Sequence, residues 1–186
     1  MPWSSLPGLP TPRDGLGVAI DSDDNIYAIG GGADLATAEK WDGSSWSSLP
    51  DMPTGRTEVA AASDSNDNIY VLGGPRAMAT VEKWDGSSWS SLPDMPTGRN
   101  AVAATSDSDD NIYVLGGYSG KSTVEKWDGS SWSSLPDMPT GRRKFGAVSD
   151  SDDNIYAVGG GDDLATVKFS APSPPEPPSN LIAEVQ

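Results

Sequence analysis

The sequence has no cysteine and no histidine. Without cysteine there is no disulfide, no thiolate nucleophile and no cysteine-based metal site. Without histidine, the commonest general base and the commonest metal ligand are both missing. Basic residues are also scarce: 12 Lys and Arg face 27 Asp and Glu, a net charge of −15. A surface this acidic repels phosphate backbones and anionic lipid, which argues against nucleic acid and membranes as partners. It favours solubility, and plentiful Asp beside little Lys also suits life in high salt. No apolar run is long enough to span a bilayer. Met1 is followed by Pro2 and Trp3, not by a basic stretch and an apolar core, so no export signal is visible.

The chain is rich in Gly (21), Pro (16) and Trp (7), a mix that suits short strands, many turns and a few large aromatic anchors. These residues recur in step. Leu-Pro begins at Leu6, Leu49, Leu92 and Leu135, and Asn-Ile-Tyr ends at Tyr27, Tyr70, Tyr113 and Tyr156. Paired glycines stand at Gly30-Gly31, Gly73-Gly74, Gly116-Gly117 and Gly159-Gly160, and WDGSSW begins at Trp41, Trp84 and Trp127. Every series steps by 43 residues, with no insertions or deletions between repeats. Such a period indicates one supersecondary unit used four times.

Each unit reads as four strands. In the second, 57–63 is a run of small and apolar residues, and 68–74 (NIYVLGG) is β-branched and aromatic up to its glycines. Residues 80–84 (TVEKW) alternate as a half-buried strand should, and 89–92 form a short fourth strand. Turn residues separate the strands, and Asp85-Gly86 between two Trp-bearing strands is a hairpin signal.

Gly73-Gly74, then Trp84, then Trp89 resemble the kelch motif, as does the Met-Pro-x-x-Arg stretch from Met52 to Arg56. The resemblance covers about residues 1–169. It departs in carrying Trp where many kelch repeats have Tyr, and in placing Phe169 there in the fourth repeat. Kelch repeats imply an all-β fold: a β-propeller of four-stranded antiparallel blades, four per chain, over about 14–49, 57–92, 100–135 and 143–169. Small first-strand residues such as Ala60, Ala61 and Ala62 suit the crowded centre, and the Trp residues suit the wider spaces farther out.

The fourth repeat lacks its last strand, and residues 2–7 (PWSSLP) match 45–50 (SWSSLP) at all but the first position. The N-terminal strand, residues 2–6, is therefore expected to complete the last blade and close the ring, removing exposed strand edges. Closure within one chain gives a four-bladed monomer, the lower-entropy route. Closure across two chains gives an eight-bladed, strand-exchanged dimer. From Ser170 the composition changes. Residues 170–178 read as a proline-rich linker, and 179–186 resemble the opening strand of a fibronectin type III domain. That resemblance implies a longer, modular, extracellular or cell-surface protein.

The Asp-rich turns at Asp21, Asp64, Asp107 and Asp150 offer oxygens of the kind calcium takes, but lack the glycine and distant bidentate Glu of an EF-hand. Turns that cap their own backbone are the simpler reading. Arg13, Arg56, Arg99 and Arg142 could ring an anion. The preferred reading is structural, with hydrogen bonds to carbonyls or to Asp51, Asp94 and Asp137. Glu-Lys pairs such as Glu82-Lys83 read as blade-edge residues. A galactose oxidase-like copper site is excluded by the missing His and Cys. Four-fold repetition also disfavours catalysis, which needs one asymmetric constellation. No cofactor, metal site or catalytic residue is assigned.

The repeats differ mainly in two windows: Asp14-Gly15, Thr57-Glu58, Asn100-Ala101 and Arg143-Lys144, then 32–36, 75–79, 118–122 and 161–165. In a four-stranded meander both windows emerge on one face. Loops on a rigid scaffold are where binding specificity sits. The expected contact residues are Arg76, Tyr118, Lys121, Arg143 and Lys144, with Glu58, Asn100, Asp34 and Asp162 beside them. The function expected is a non-catalytic scaffold for a protein or glycan. The alternatives are a mutarotase- or lyase-type enzyme acting on carbohydrate, and a recently amplified or engineered repeat array.

Overall fold

A computed structural model describes residues 2–160 and 166–170. Blade one contains β1 (Gly17–Ile20), β2 (Ile26–Ile29), β3 (Ala38–Trp41) and β4 (Trp46–Ser48). Blade two contains β5 (Ala60–Ser63), β6 (Ile69–Leu72), β7 (Val81–Trp84) and β8 (Trp89–Leu92). Blade three contains β9 (Ala103–Ser106), β10 (Ile112–Leu115), β11 (Val124–Trp127) and β12 (Trp132–Leu135). Blade four contains β13 (Gly146–Ser149), β14 (Ile155–Val158) and β15 (Val167–Phe169). Each sheet is an antiparallel meander in chain order. The first strands stand side by side at the centre, β1 beside β5, β5 beside β9 and β9 beside β13.

The strand sequences follow from this layout. A Cβ added at Gly17 would lie 2.9 Å from the Ala61 Cβ, so only small residues fit where inner strands meet. The second strands lie between neighbouring blades, and IYVL is buried along its whole length in β6 and β10. Alternate residues of β6 and of β10 enter different clusters. Tyr70 and Leu72 pack with Ile112 and Val114 of the next blade, while Ile69 and Val71 pack with Tyr27 and Ile29 of the previous one. Met52, Met95 and Met138 fill the outer part of the three junctions. Burying each such side chain contributes about 1.5–3 kcal/mol. The paired tryptophans of each third and fourth strand stack obliquely, with centroids 5.5–5.7 Å apart.

Two expectations are corrected here. Among the described residues, 2–6 form no strand and pair with no strand of blade four, and Trp3 is fully exposed. Among the described residues β15 is the outermost strand of blade four, with no strand paired on its far side. The 43-residue step also fails once. Phe169 pairs with Ile155 and Lys168 with Tyr156, the places Trp127 and Lys126 hold in blade three. One residue is missing from this strand, and Val167 stands opposite Ala157 where the other blades have glutamate. Of the 170–178 linker only Ser170 lies within the described residues, and the 179–186 tail lies outside them.

Candidate functional site

The repeated turns hold the blades together on one face. In blade one, Asp21 Oδ1 accepts the Asn25 N–H at 2.8 Å and Oδ2 accepts the Tyr27 hydroxyl at 2.9 Å. The same triad recurs as Asp64-Asn68-Tyr70, Asp107-Asn111-Tyr113 and Asp150-Asn154-Tyr156. The carboxylate oxygens that suggested calcium are thus occupied by donors from their own hairpin. Burial raises the Tyr27, Tyr70 and Tyr113 phenols well above their ordinary value, and the adjacent Asp adds to this. Adjacent blades are joined at the same level: the Ser22 N–H and hydroxyl donate to Asp67, those of Ser65 to Asp110 and those of Ser108 to Asp153. In the WDGSS turns, the Ser45 N–H, then the Ser44 hydroxyl and N–H, hold the Asp42 carboxyl at about 2.

Buried arginines support the other face from beneath. Arg56 Nη1 donates to the carbonyls of Gly73 at 3.0 Å and Thr80 at 3.1 Å, and Nη2 lies 2.7 Å from Glu82 Oε1. Arg99 repeats this with Gly116, Thr123 and Glu125, and Arg13 with Gly30, Thr37 and Glu39. Burial pulls the Arg56 and Arg99 guanidinium groups below their ordinary value, and the partner glutamates oppose this. Each arginine also bridges blades: the carbonyls of Arg56, Arg99 and Arg142 accept N–H groups from Gly31, Gly74 and Gly117. The carbonyl contacts were expected, but the acidic partner is corrected. For Arg13, Arg56 and Arg99 it is the third-strand glutamate and not the loop aspartate; Asp137 accepts the Ser122 hydroxyl. Glu39, Glu82 and Glu125 are therefore interior residues and not blade-edge ones, each only 2% exposed. Glutamate and arginine recur in step, which was a usable signal of their pairing.

Above the arginines, the first variable window comes together. Asp14, Glu58, Ala101 and Lys144, at least one residue from every blade, line a cavity of about 490 Å³ at the mouth of the central channel. Gly15, Glu58, Ala101 and Lys144 occupy the same repeat position, with φ of 59°, 54°, 53° and 54°. The turn hydrogen-bonds from blade to blade there, the Ala101 N–H to the Glu58 carbonyl and the Lys144 N–H to the Ala101 carbonyl. A left-handed φ costs an L-residue roughly 1–2 kcal/mol. Ala101→Gly is therefore expected to raise the free energy of unfolding by about 0.5–1 kcal/mol after the unfolded-state entropy is counted. Ala62→Gly, in the regular strand β5, should lower it by about as much. Urea titration of the two variants checks both signs.

The two windows lie on one face, bonded to each other through Gly32 N–H to the Asp14 carbonyl and Tyr118 N–H to the Asn100 carbonyl. Of the expected contact residues, Glu58 and Asn100 are joined side chain to side chain. Arg143 lies over the Tyr118 ring at 5.2 Å, and both are exposed. Lys144 lies at the cavity. Asp34 and Arg76 are exposed on left-handed turns of the second window, at φ 60° and 57°. Lys121 is half-buried, and its carbonyl accepts the Arg142 N–H. Asp162 lies outside the described residues.

Consecutive antiparallel blades around one channel, tied by repeated turns on one face and varied on the other, define a β-propeller of four blades. The kelch motif family model matches residues 108–139, from the Asp-rich turn of blade three through its last strand to Pro139. Blades one and two carry the same residues in the same register, and blade four does so through β14; the match and the four-bladed fold together support a kelch-repeat β-propeller. Such a propeller fits a binding or interaction scaffold in general. No curated protein sequence matches the chain.

Proposed function

We propose that the chain is a non-catalytic binding module that receives a protein or glycan ligand on its varied face, at and beside the channel mouth. One observation carries the reading: the first window where the repeats disagree gathers around one cavity, while the repeated Asp-rich turns are consumed in holding blades together. The cavity rim is acidic at Asp14 and Glu58 and basic at Lys144. The Tyr118–Arg143 stack stands beside it, a planar surface with a cation above it that suits a sugar ring or an aromatic side chain. Tyr and Arg are the residue types that dominate binding hot spots. An extracellular setting in a modular protein fits this use, because a rigid disc with one specialised face works as a unit on a tether.

A glycan array and a protein-capture experiment, run with the intact chain and with Tyr118→Ala and Arg143→Ala, test the reading. Each substitution should weaken binding of the captured ligand by about thirtyfold, the effect of a 2 kcal/mol hot spot. Undiminished binding by both variants would show that the ligand sits elsewhere.

A further inference from the structure

The arc of blades is unfinished at both ends, and the two ends match. Val148 is 56% exposed, while its counterparts Ala19 and Ala62 are covered by the following blade. Val158 is 47% exposed where Ile29 and Leu72 are fully buried. On the opposite flank, Val18 and Ile20 of β1 are exposed, although their counterparts in later blades face a preceding blade.

The polar groups are left over in complementary pairs. Ser22, Ser65 and Ser108 each bind an aspartate of the next blade, but Ser151 makes no such bond among the described residues. Asp24 is the counterpart of Asp67, Asp110 and Asp153, and its carboxylate is likewise without a serine among the described residues. Trp46, Trp89 and Trp132 donate their indole N–H to Pro7, Pro50 and Pro93 of the preceding fourth-strand position. One step on, Trp3 is free in solvent, and the Pro136 carbonyl has no such donor among the described residues. The backbone repeats the pattern: a Cβ at Gly30, Gly73 or Gly116 would meet the next arginine's carbonyl within 2.6 Å, whereas at Gly159 it would meet nothing within 4 Å. The sizes also agree. Gly146 has open space where its equivalent Gly17 meets Ala61, so it can receive the larger Val18.

We propose that a second copy of this chain completes the ring. Blade four of each copy packs on blade one of the other, and residues 2–6 cross over to become the fourth strand of the partner's blade four. The hydrogen bond of Trp46 to Pro7 already sets that segment on the path of a preceding blade's fourth strand. The junction is of the kind the chain makes three times between its own blades, and the strand addition is of the kind β4, β8 and β12 make within theirs. Two copies give eight blades, within the usual range of four to eight, and three would exceed it. Both junctions are the same, so the head-to-tail contact closes after two subunits.

Light scattering on the intact chain should give twice the 19.3 kDa of one chain. The mass of one chain, or of three or more, overturns the proposal. Trp3→Ala should raise the dimer dissociation constant at least tenfold, and an unchanged constant would contradict the strand exchange. The absence of native cysteine allows a cleaner test still. A short bis-thiol cross-linker should join Ser22→Cys to Asp67→Cys within one chain, as an internal control for the geometry. Applied to the Asp24→Cys/Ser151→Cys double variant, it should join two chains and double the mass on a denaturing gel. A link formed within one chain, or no link while the control reacts, overturns the proposal.

Discussion

Arg99→Ala is expected to lower the free energy of unfolding by about 3–5 kcal/mol, the cost of leaving a buried charge without its partner. The guanidinium sits in no contact with solvent, spends Nη1 on the Gly116 and Thr123 carbonyls, and lies 2.8 Å from Glu125. Removing it strands Glu125, whose Oε2 already has no hydrogen-bond partner among the described residues. It also takes a donor from the Gly116 and Thr123 carbonyls, and it weakens the seam where the Arg99 carbonyl accepts the Gly74 N–H. For a domain of this length about 2–4 °C accompanies each kcal/mol, so the thermal midpoint should fall by roughly 6–20 °C. Arg99→Lys should recover less than half, since an ammonium cannot serve the carbonyls and the carboxylate in the same planar fork. The double variant Arg99→Met/Glu125→Leu should recover more than Arg99→Lys, because the stranded charge is the dominant loss. Thermal unfolding followed by tryptophan fluorescence separates the three.

Asp107→Ala is expected to cost about 3 kcal/mol, with a charge-assisted hydrogen bond worth about 1.5–3 kcal/mol and an orphaned hydroxyl adding to it. One carboxylate holds the Asp109 and Asn111 N–H groups, the Asn111 amide and the Tyr113 hydroxyl, all at 2.8–3.1 Å. Tyr113 is buried, so its hydroxyl has no water to turn to. Tyr113→Phe removes the donor together with its need and should cost only about 1 kcal/mol. Asp107→Asn should fall between them, because it keeps one acceptor and turns the other into a donor facing a donor. Urea unfolding of the series gives the order, and an equal cost for Asp107→Ala and Tyr113→Phe would show that the hairpin does not depend on the carboxylate.

These two clusters also mark what the sequence reveals and what it conceals. The 43-residue period, the NIYVL strands and the Trp-Asp-Gly hairpins announce the blades, because strand, turn and burial impose themselves on local composition. The Asp-rich turns were legible as self-capping for the same reason. The Arg–Glu pair was not read, because its members lie about 26 residues apart and meet only after the meander folds. Closure failed for a related reason. The likeness of residues 2–7 to residues 45–50 says which kind of strand it is, but the angle between blades decides which blade it reaches. The missing residue of β15 was hidden by the Gly159-Gly160 landmark, which keeps step while the strand after it does not. At the site, periodicity located the varied windows, but the Arg143–Tyr118 stack and the Glu58–Asn100 bond join separate windows and depend on three-dimensional spacing.

The division of labour between the two faces can be measured in one titration. With the ligand captured by the intact chain, calorimetry compares Arg143→Ala on the varied face with Ser130→Ala in a repeated turn on the other. The prediction is a loss of affinity of about thirtyfold for Arg143→Ala and an unchanged dissociation constant for Ser130→Ala. Equal losses, or a loss confined to Ser130→Ala, would contradict the assignment of binding to the face where the repeats differ.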